Sequence, residues 1–282
     1  MKLVRFGEAG AEKPGLIDAA GRIRDLSAHV PDIDRRSLDP ATLARLATID
    51  PASLPEVGDG VRLGAPVGDV RNFIAIGLNY ADHAAEAGLR IPREPVIFNK
   101  IGNCIVGPND DIMMPRDAQK LDWEVEIAFV VSKRARYVAE ADAAAHIAGY
   151  LVCNDVSERH FQTERSGQWV KGKCCETFGP LGPWLVTADE VGDIDNLGMW
   201  LDVNGERRQT GNTQTMIFKI PYILSYVTQF MVLEPGDVIT TGTPPGVALG
   251  MKEPAWLQVG DEIRLGIDKL GEQHQKVVAF KL

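Results

Sequence analysis

The chain has 282 residues, 45% of them hydrophobic and 24% charged, and a net charge of −9. That is enough apolar material for one large core and a smaller unit beside it, while the acidic balance and scattered Lys and Arg exclude a nucleic-acid partner and argue against polyphosphate ligands. No apolar run approaches the roughly 20 residues that cross a bilayer, and Met1 to Phe6 is followed by Gly-Glu-Ala-Gly rather than an apolar signal core, so no membrane partner and a cytoplasmic location are expected.

In chain order, residues 2–6 and 15–18 read as short strands, and 18–22 as a turn leading into 23–26. Residues 40–47 have helical spacing. The stretch 51–66 is crowded with proline and glycine and has little periodicity, which places a boundary between a small β-rich domain, 1–68, and a main domain, 69–282. Beyond it, Asn79 to Gly88 reads as a short helix with Asn79 or Asp82 as cap and Gly88 as stop. Short apolar runs recur at 73–76, 96–98, 123–131, 150–153, 184–186 and 199–203, so strands outnumber helices. Asn204-Gly205 is a hairpin signal, because both central residues of such a turn favour positive φ. Glu234-Pro-Gly-Asp237 is a second corner. The fold class implied is α+β, dominated by curled sheet, rather than an alternating βαβ fold. Cys104, Cys153, Cys174 and Cys175 form neither a C-x-x-C zinc pattern nor a disulfide framework and read as free thiols.

The chemistry is concentrated in 123–131. Trp123, Val125, Ile127, Phe129 and Val131 share one parity of a strand, so Glu124 and Glu126 project together on the other face, their Cβ atoms roughly 6.5 Å apart. Two facing anions beside apolar neighbours repel, and a hard divalent cation such as Mg²⁺ or Ca²⁺ relieves that repulsion. Taken alone the pair fits a solvated strand face more readily. Asp155, at the end of the run 150–153, is the candidate third acid, with a turn or cap role as its alternative. His83 and Glu86 lie three apart on one helical face, where a carboxylate can orient an imidazole toward water; a surface ion pair has the same spacing. Arg159 and Gln162 repeat that spacing, and Arg159 has the fork geometry to grip a carboxylate. Lys171 and Lys173 sit in 168–184, whose glycines and prolines imply an irregular binding loop. A lysine there can stabilise an enolate or remain a solvated charge. Thr243, in Thr240-Thr-Gly-Thr-Pro-Pro-Gly246, offers a hydroxyl and nearby N–H groups to a carboxylate or carbonyl, or is part of a plain turn.

In order, Gly77-Leu-Asn-Tyr-Ala-Asp-His83, Glu94-Pro-Val-Ile-Phe98, Asp122-Trp-Glu-Val-Glu126, Asn154-Asp-Val-Ser-Glu-Arg159, Gly172-Lys173, Thr177-Phe-Gly-Pro-Leu-Gly-Pro-Trp184, Asn204-Gly205, Met216-Ile-Phe218 and Thr241-Gly-Thr-Pro-Pro-Gly246 resemble the fumarylacetoacetate hydrolase family over residues 72–250. The N-terminal segment and total length are similar to those of bacterial members that cleave 2,4-diketo-3-deoxy sugar acids, some labelled ureidoglycolate lyase. The resemblance implies a curled mixed β-roll with a small N-terminal α/β domain, assembled as a homodimer. It implies a metal triad at Glu124, Glu126 and Asp155 holding Mg²⁺, with Mn²⁺ or Ca²⁺ as alternatives. It places the catalytic dyad on His83 and Glu86, a lysine near the reacting carbon on Lys173, and substrate contacts on Arg159, Gln162 and Thr243.

The reaction implied is hydrolysis of a carbon-carbon bond in a small 2,4-dioxo acid, giving pyruvate and a carboxylic acid. Hydratase, isomerase and oxaloacetate decarboxylase chemistry are alternatives on the same site, and a non-enzymatic Ca²⁺-binding protein is a further one. Cys174-Cys175-Glu176 and Asn99 depart from the family pattern. Both flank the pocket and bear on substrate size.

Overall fold

A computed structural model describes residues 1–86 and 90–281 and, within them, all side chains but those of residues 83–85. Among the described residues an eleven-stranded sheet forms the backbone of the fold. Its main path runs from Ile23–Asp25 through Lys13–Ile17, Lys2–Phe6, Gly179–Thr187, Ile147–Asn154, Val125–Val131, Val238–Thr240 and Phe73–Gly77 to the edge strand Val96–Lys100. Residues 1–68 therefore share a sheet with the later strands, Leu3 lying opposite Leu185. A second sheet of five strands, Glu206–Asn212, Gly198–Val203, Glu262–Ile267, Gly271–Val278 and Ile112–Met113, completes the frame. The chain is thus α+β with a dominant β component, and no described helix is long and apolar enough to cross a membrane.

The strand Val125–Val131 is buried at every position. Its alternation therefore does not separate core from solvent: both faces are covered, and the glutamate face continues into core at Ala128 and Val130. Asn204 and Gly205 have φ of 52° and 78°, the left-handed pair that a two-residue hairpin turn requires. Asp39 caps the helix Pro40–Leu46 by accepting from the N–H groups of Ala41 and Thr42, and Pro40 supplies a pre-set φ at its start.

Two stretches depart from expectation. Residues 168–184 are not an irregular loop: Val170–Lys173 is one helical turn and Gly179–Thr187 a nine-residue strand. Pro183 is tolerated because the pairing with Ile147–Asn154 shifts register between Tyr150 and Val152, where a missing N–H donor does least harm, while Pro180 lies at the strand's start opposite Val106. Gly179 is needed where the chain passes Phe73, whose Cε1 would lie 2.9 Å from an added Cβ. The helix Ile220–Val227 goes unnoticed in the sequence because its aromatic and β-branched residues look strand-like. Its buried Ile220, Ile223, Leu224 and Val227 nevertheless follow the 0, 3, 4, 7 spacing of a core-facing stripe.

Candidate active site

Glu124 immediately precedes the strand Val125–Val131, which pairs antiparallel with Ile147–Asn154 so that Val125 faces Asn154 and Glu126 faces Cys153. The N–H of Asp155 donates to the carbonyl of Glu124 at 2.9 Å, extending that ladder by one step. This register gathers the three acids: Glu124, Glu126 and Asp155 are all buried and each offers an oxygen within 4.8 Å of the others.

Three cations surround them. Lys173 Nζ lies 2.6 Å from Glu124 Oε2 and 2.7 Å from Asp155 Oδ2. Lys100 Nζ lies 2.6 Å from Asp155 Oδ1 and donates to the carbonyl of Lys173 at 2.5 Å. Arg159 donates from Nε to Asp122 at 2.8 Å, from Nη2 to Glu124 Oε1 at 2.5 Å and from Nη1 to Gln162 at 3.0 Å. The guanidinium expected to grip a substrate carboxylate is thus largely committed to the protein's own acids. Three of its five N–H groups are used, leaving one on each terminal nitrogen. Sequence reasoning assigned no role to Lys100 or Asp122. Their partners are 55 and 37 residues away along the chain, beyond any local spacing signal.

Electrostatics decide which acid carries excess charge. Burial opposes ionisation of Glu124, but Arg159 and Lys173 outweigh it and hold the carboxyl well below its usual range. Burial, then the charges of Asp155 and Glu124, push Glu126 well above its usual range. Glu126 Oε2 accepts from the hydroxyl of Thr240 and, at 2.8 Å, from the N–H of Gly242. Asp122, Glu124, Glu126 and Asp155 thus face Lys100, Arg159 and Lys173, one negative charge in excess if all are ionised. A hard divalent ion fits this donor set: three carboxylate oxygens converge, and Glu126, which forms no salt bridge among the described residues, is the acid that resists ionisation on its own.

Glu124 and Glu126 open onto a cavity of about 180 Å³. Glu124, Glu126, Arg159, Gln162 and Lys173 line its polar side, while Ile76, Leu78, Phe98, Trp169 and Leu249 form its apolar wall. Gly77 makes room for that wall, since a Cβ there would lie 2.6 Å from Trp169 Cζ3.

Thr243 also lines the cavity, but its hydroxyl is engaged within the protein, donating to Val125 O at 2.9 Å and accepting from Gln209 Nε2 at 2.8 Å. Gln209 Oε1 in turn accepts from Val125 N–H at 2.9 Å, closing a ring behind the site strand. Sequence reading gave no hint of Gln209, which arrives from the second sheet. Asn79 does not serve as the expected helix cap: its amide donates to the carbonyls of Phe218 and Thr241 and accepts from Phe218 N–H. Asp82 accepts from the Thr215 hydroxyl at 3.2 Å. Glu86, at the end of Ala81–Glu86, accepts from Gly246 N–H at 3.2 Å, which ties that helix to the 240–246 segment. The imidazole of His83 and the proposed stop at Gly88 lie outside the described residues. All four cysteines are free, Cys104 and Cys153 buried, Cys174 and Cys175 half-buried.

The chain is 58% identical over 276 residues, 98% of each chain, to a Burkholderia cenocepacia protein provisionally named a hydrolase. Among solved structures, it is 29% identical to a maleylpyruvate hydrolase from Sphingobium sp. SYK-6 in complex with manganese(II) and pyruvate, with a TM-score of 0.84 and full coverage of both chains. A 5-carboxymethyl-2-hydroxymuconate delta-isomerase from Mycobacterium smegmatis is 32% identical with a TM-score of 0.77, again over both full lengths. The profile for the C-terminal region of fumarylacetoacetate (FAA) hydrolase matches residues 72–278, the span that carries Glu124, Glu126, Asp155 and the cations around them. The chain is therefore an enzyme of the fumarylacetoacetate hydrolase family.

Proposed function

We propose that the protein is a divalent-cation-dependent hydrolase that cleaves a carbon-carbon bond in 2,4-dioxo acids of the acylpyruvate type, releasing pyruvate and a carboxylic acid. The observation that carries this reading is the convergence of Glu124, Glu126 and Asp155, two of which line the cavity, with the Lys173 ammonium between Glu124 and Asp155. The likeness to a hydrolase solved with manganese(II) and pyruvate supports it.

Mg²⁺ or Mn²⁺ held by the three acids supplies Lewis acidity toward the oxygens of the 2-oxo acid. The chain's own groups do the rest. His83, oriented by Glu86, takes a proton from water, and the resulting hydroxide attacks the 4-carbonyl. The bond between C3 and C4 then breaks, its electrons leaving as the enolate of pyruvate, and a proton equivalent to the one His83 took from water adds at C3 to give pyruvate. The Lys173 ammonium, fixed before substrate arrives, stabilises that developing charge. Gln162 stands on the polar wall as a donor for the substrate carboxylate, and Arg159 holds Glu124 in place. The likeness to a delta-isomerase keeps one alternative in view: the same enolate chemistry without attack by water.

His83→Ala separates the two. For a hydrolase, pyruvate release from a panel of 2,4-dioxo acids falls by about a hundredfold or more, the usual worth of a general base, while ion binding persists. Undiminished acylpyruvate cleavage in that variant refutes the assignment.

A further inference from the structure

In each of the three acids one oxygen is held by a group other than Lys173, and the second oxygens of Glu124 and Asp155 share the Lys173 ammonium. Arg159 holds Glu124 Oε1, Thr240 and Gly242 hold Glu126 Oε2, and Lys100 holds Asp155 Oδ1. Glu124 Oε2 and Asp155 Oδ2 meet only Lys173, and Glu126 Oε1 takes no hydrogen bond among the described residues. The set therefore presents one oxygen per carboxylate. Mg²⁺ or Mn²⁺ would suit such a set, the remaining ligands coming from water and substrate. Ca²⁺ is larger, takes six to eight ligands and often draws both oxygens of a carboxylate.

Among these groups Lys100 is the cation that stands outside the cavity lining. Its side chain is fully buried, outside the cavity lining, and reaches Asp155 from behind. By also donating to the carbonyl of Lys173 it fixes the turn from which the second ammonium extends. We infer that Lys100 is a positioning residue that confines Asp155 to one ligand oxygen and thereby biases the site toward small divalent ions over Ca²⁺. The inference rests on the reading of Glu124, Glu126 and Asp155 as ion ligands.

The test is calorimetric titration of Mg²⁺, Mn²⁺ and Ca²⁺ into the wild-type protein and into Lys100→Met, which removes the ammonium while preserving the length and shape of the chain. Losing a nearby positive charge strengthens every cation alike, so the ratio of Ca²⁺ to Mg²⁺ affinity is the diagnostic quantity. It rises by about tenfold in Lys100→Met as Asp155 becomes bidentate. An unchanged ratio in a folded Lys100→Met protein overturns the role of Lys100 but leaves the ion site standing. Failure of the wild type to bind any of the three ions overturns both. Should the variant not fold, the wild type alone still decides, because binding Ca²⁺ as tightly as Mg²⁺ contradicts a site confined to single oxygens.

Discussion

The N–H of Asp155 meets the carbonyl of Glu124 at 2.9 Å, so the two acids are fixed side by side where the antiparallel ladder ends. The spacing of the triad is thus a property of strand register rather than of side-chain choice. A slip of one residue would turn Glu124 and Glu126 to the opposite face and leave Asp155 alone.

Ion binding should strengthen with pH. Without an ion, burial and the neighbouring charges of Asp155 and Glu124 raise the Glu126 carboxyl well above its ordinary value of 4.5, so the folded protein holds a proton that the unfolded chain has released. Stability of the ion-free protein then falls as pH rises from about 4.5 through the raised value, since the folded state binds more protons across that interval. An incoming Mg²⁺ displaces the proton, and its affinity climbs over the same interval. Titrations in buffers of different ionisation heat should report about one proton released per ion. Zero release at pH values below the raised pKa contradicts this account.

Replacing Gln209 by leucine should damage the site from behind. The ring from Val125 N–H through Gln209 and Thr243 back to Val125 O stands in for a strand partner beside Glu124 and Glu126. Its loss leaves a buried N–H unpaired, at a cost of about 1–3 kcal/mol in urea unfolding. Mn²⁺ affinity should fall with it. Unchanged stability together with unchanged Mn²⁺ affinity would show the ring to be dispensable.

Arg159→Met uncouples Asp122 and Glu124, both buried, from their shared cation. Breaking a buried ion pair on one side costs about 3–5 kcal/mol, because uncompensated charge remains. Arg159→Lys should recover part of the stability but little activity, since one ammonium cannot reproduce the three-way fork. Equal activity in the lysine variant would mean that only the charge matters.

Two glycine substitutions should differ sharply in cost. Gly246 has φ of 102°, and a Cβ there would fall 1.9 Å from Arg208 O, a backbone atom. Gly205 has φ of 78° with nothing within 4 Å. Gly205→Ala should cost about 1 kcal/mol of conformational strain. Gly246→Ala should cost several times that and disturb Glu86, which Gly246 N–H holds at 3.2 Å. Comparable melting temperatures for the two variants would refute the clash.

How much of this was visible in the sequence depends on range. Glu124 and Glu126 were legible because a strand repeats every two residues, and the Asn204-Gly205 turn because its φ requirements are local. The convergence of Asp155 with the pair was anticipated from its place at a strand end. Lys100, Asp122 and Gln209 were not legible, because their roles are created by strands that meet only in the folded sheet. Arg159 was found, but sequence spacing cannot reveal that Asp122 and Glu124 engage two arms of its fork. The strand Gly179–Thr187 was hidden by its prolines, of which Pro183 falls in a local register shift.

The pairing of Lys2–Phe6 with Gly179–Thr187 has a consequence for any attempt to shorten the protein. A fragment beginning near residue 69 would lack the strand that covers Leu185 and Val186 and would expose an unpaired edge beside the strand that leads to Asp155 and two strands from Glu126. Such an edge is a template for association with other chains. The first 68 residues therefore act as a lateral seal, and a catalytic fragment without them should precipitate or associate rather than work alone.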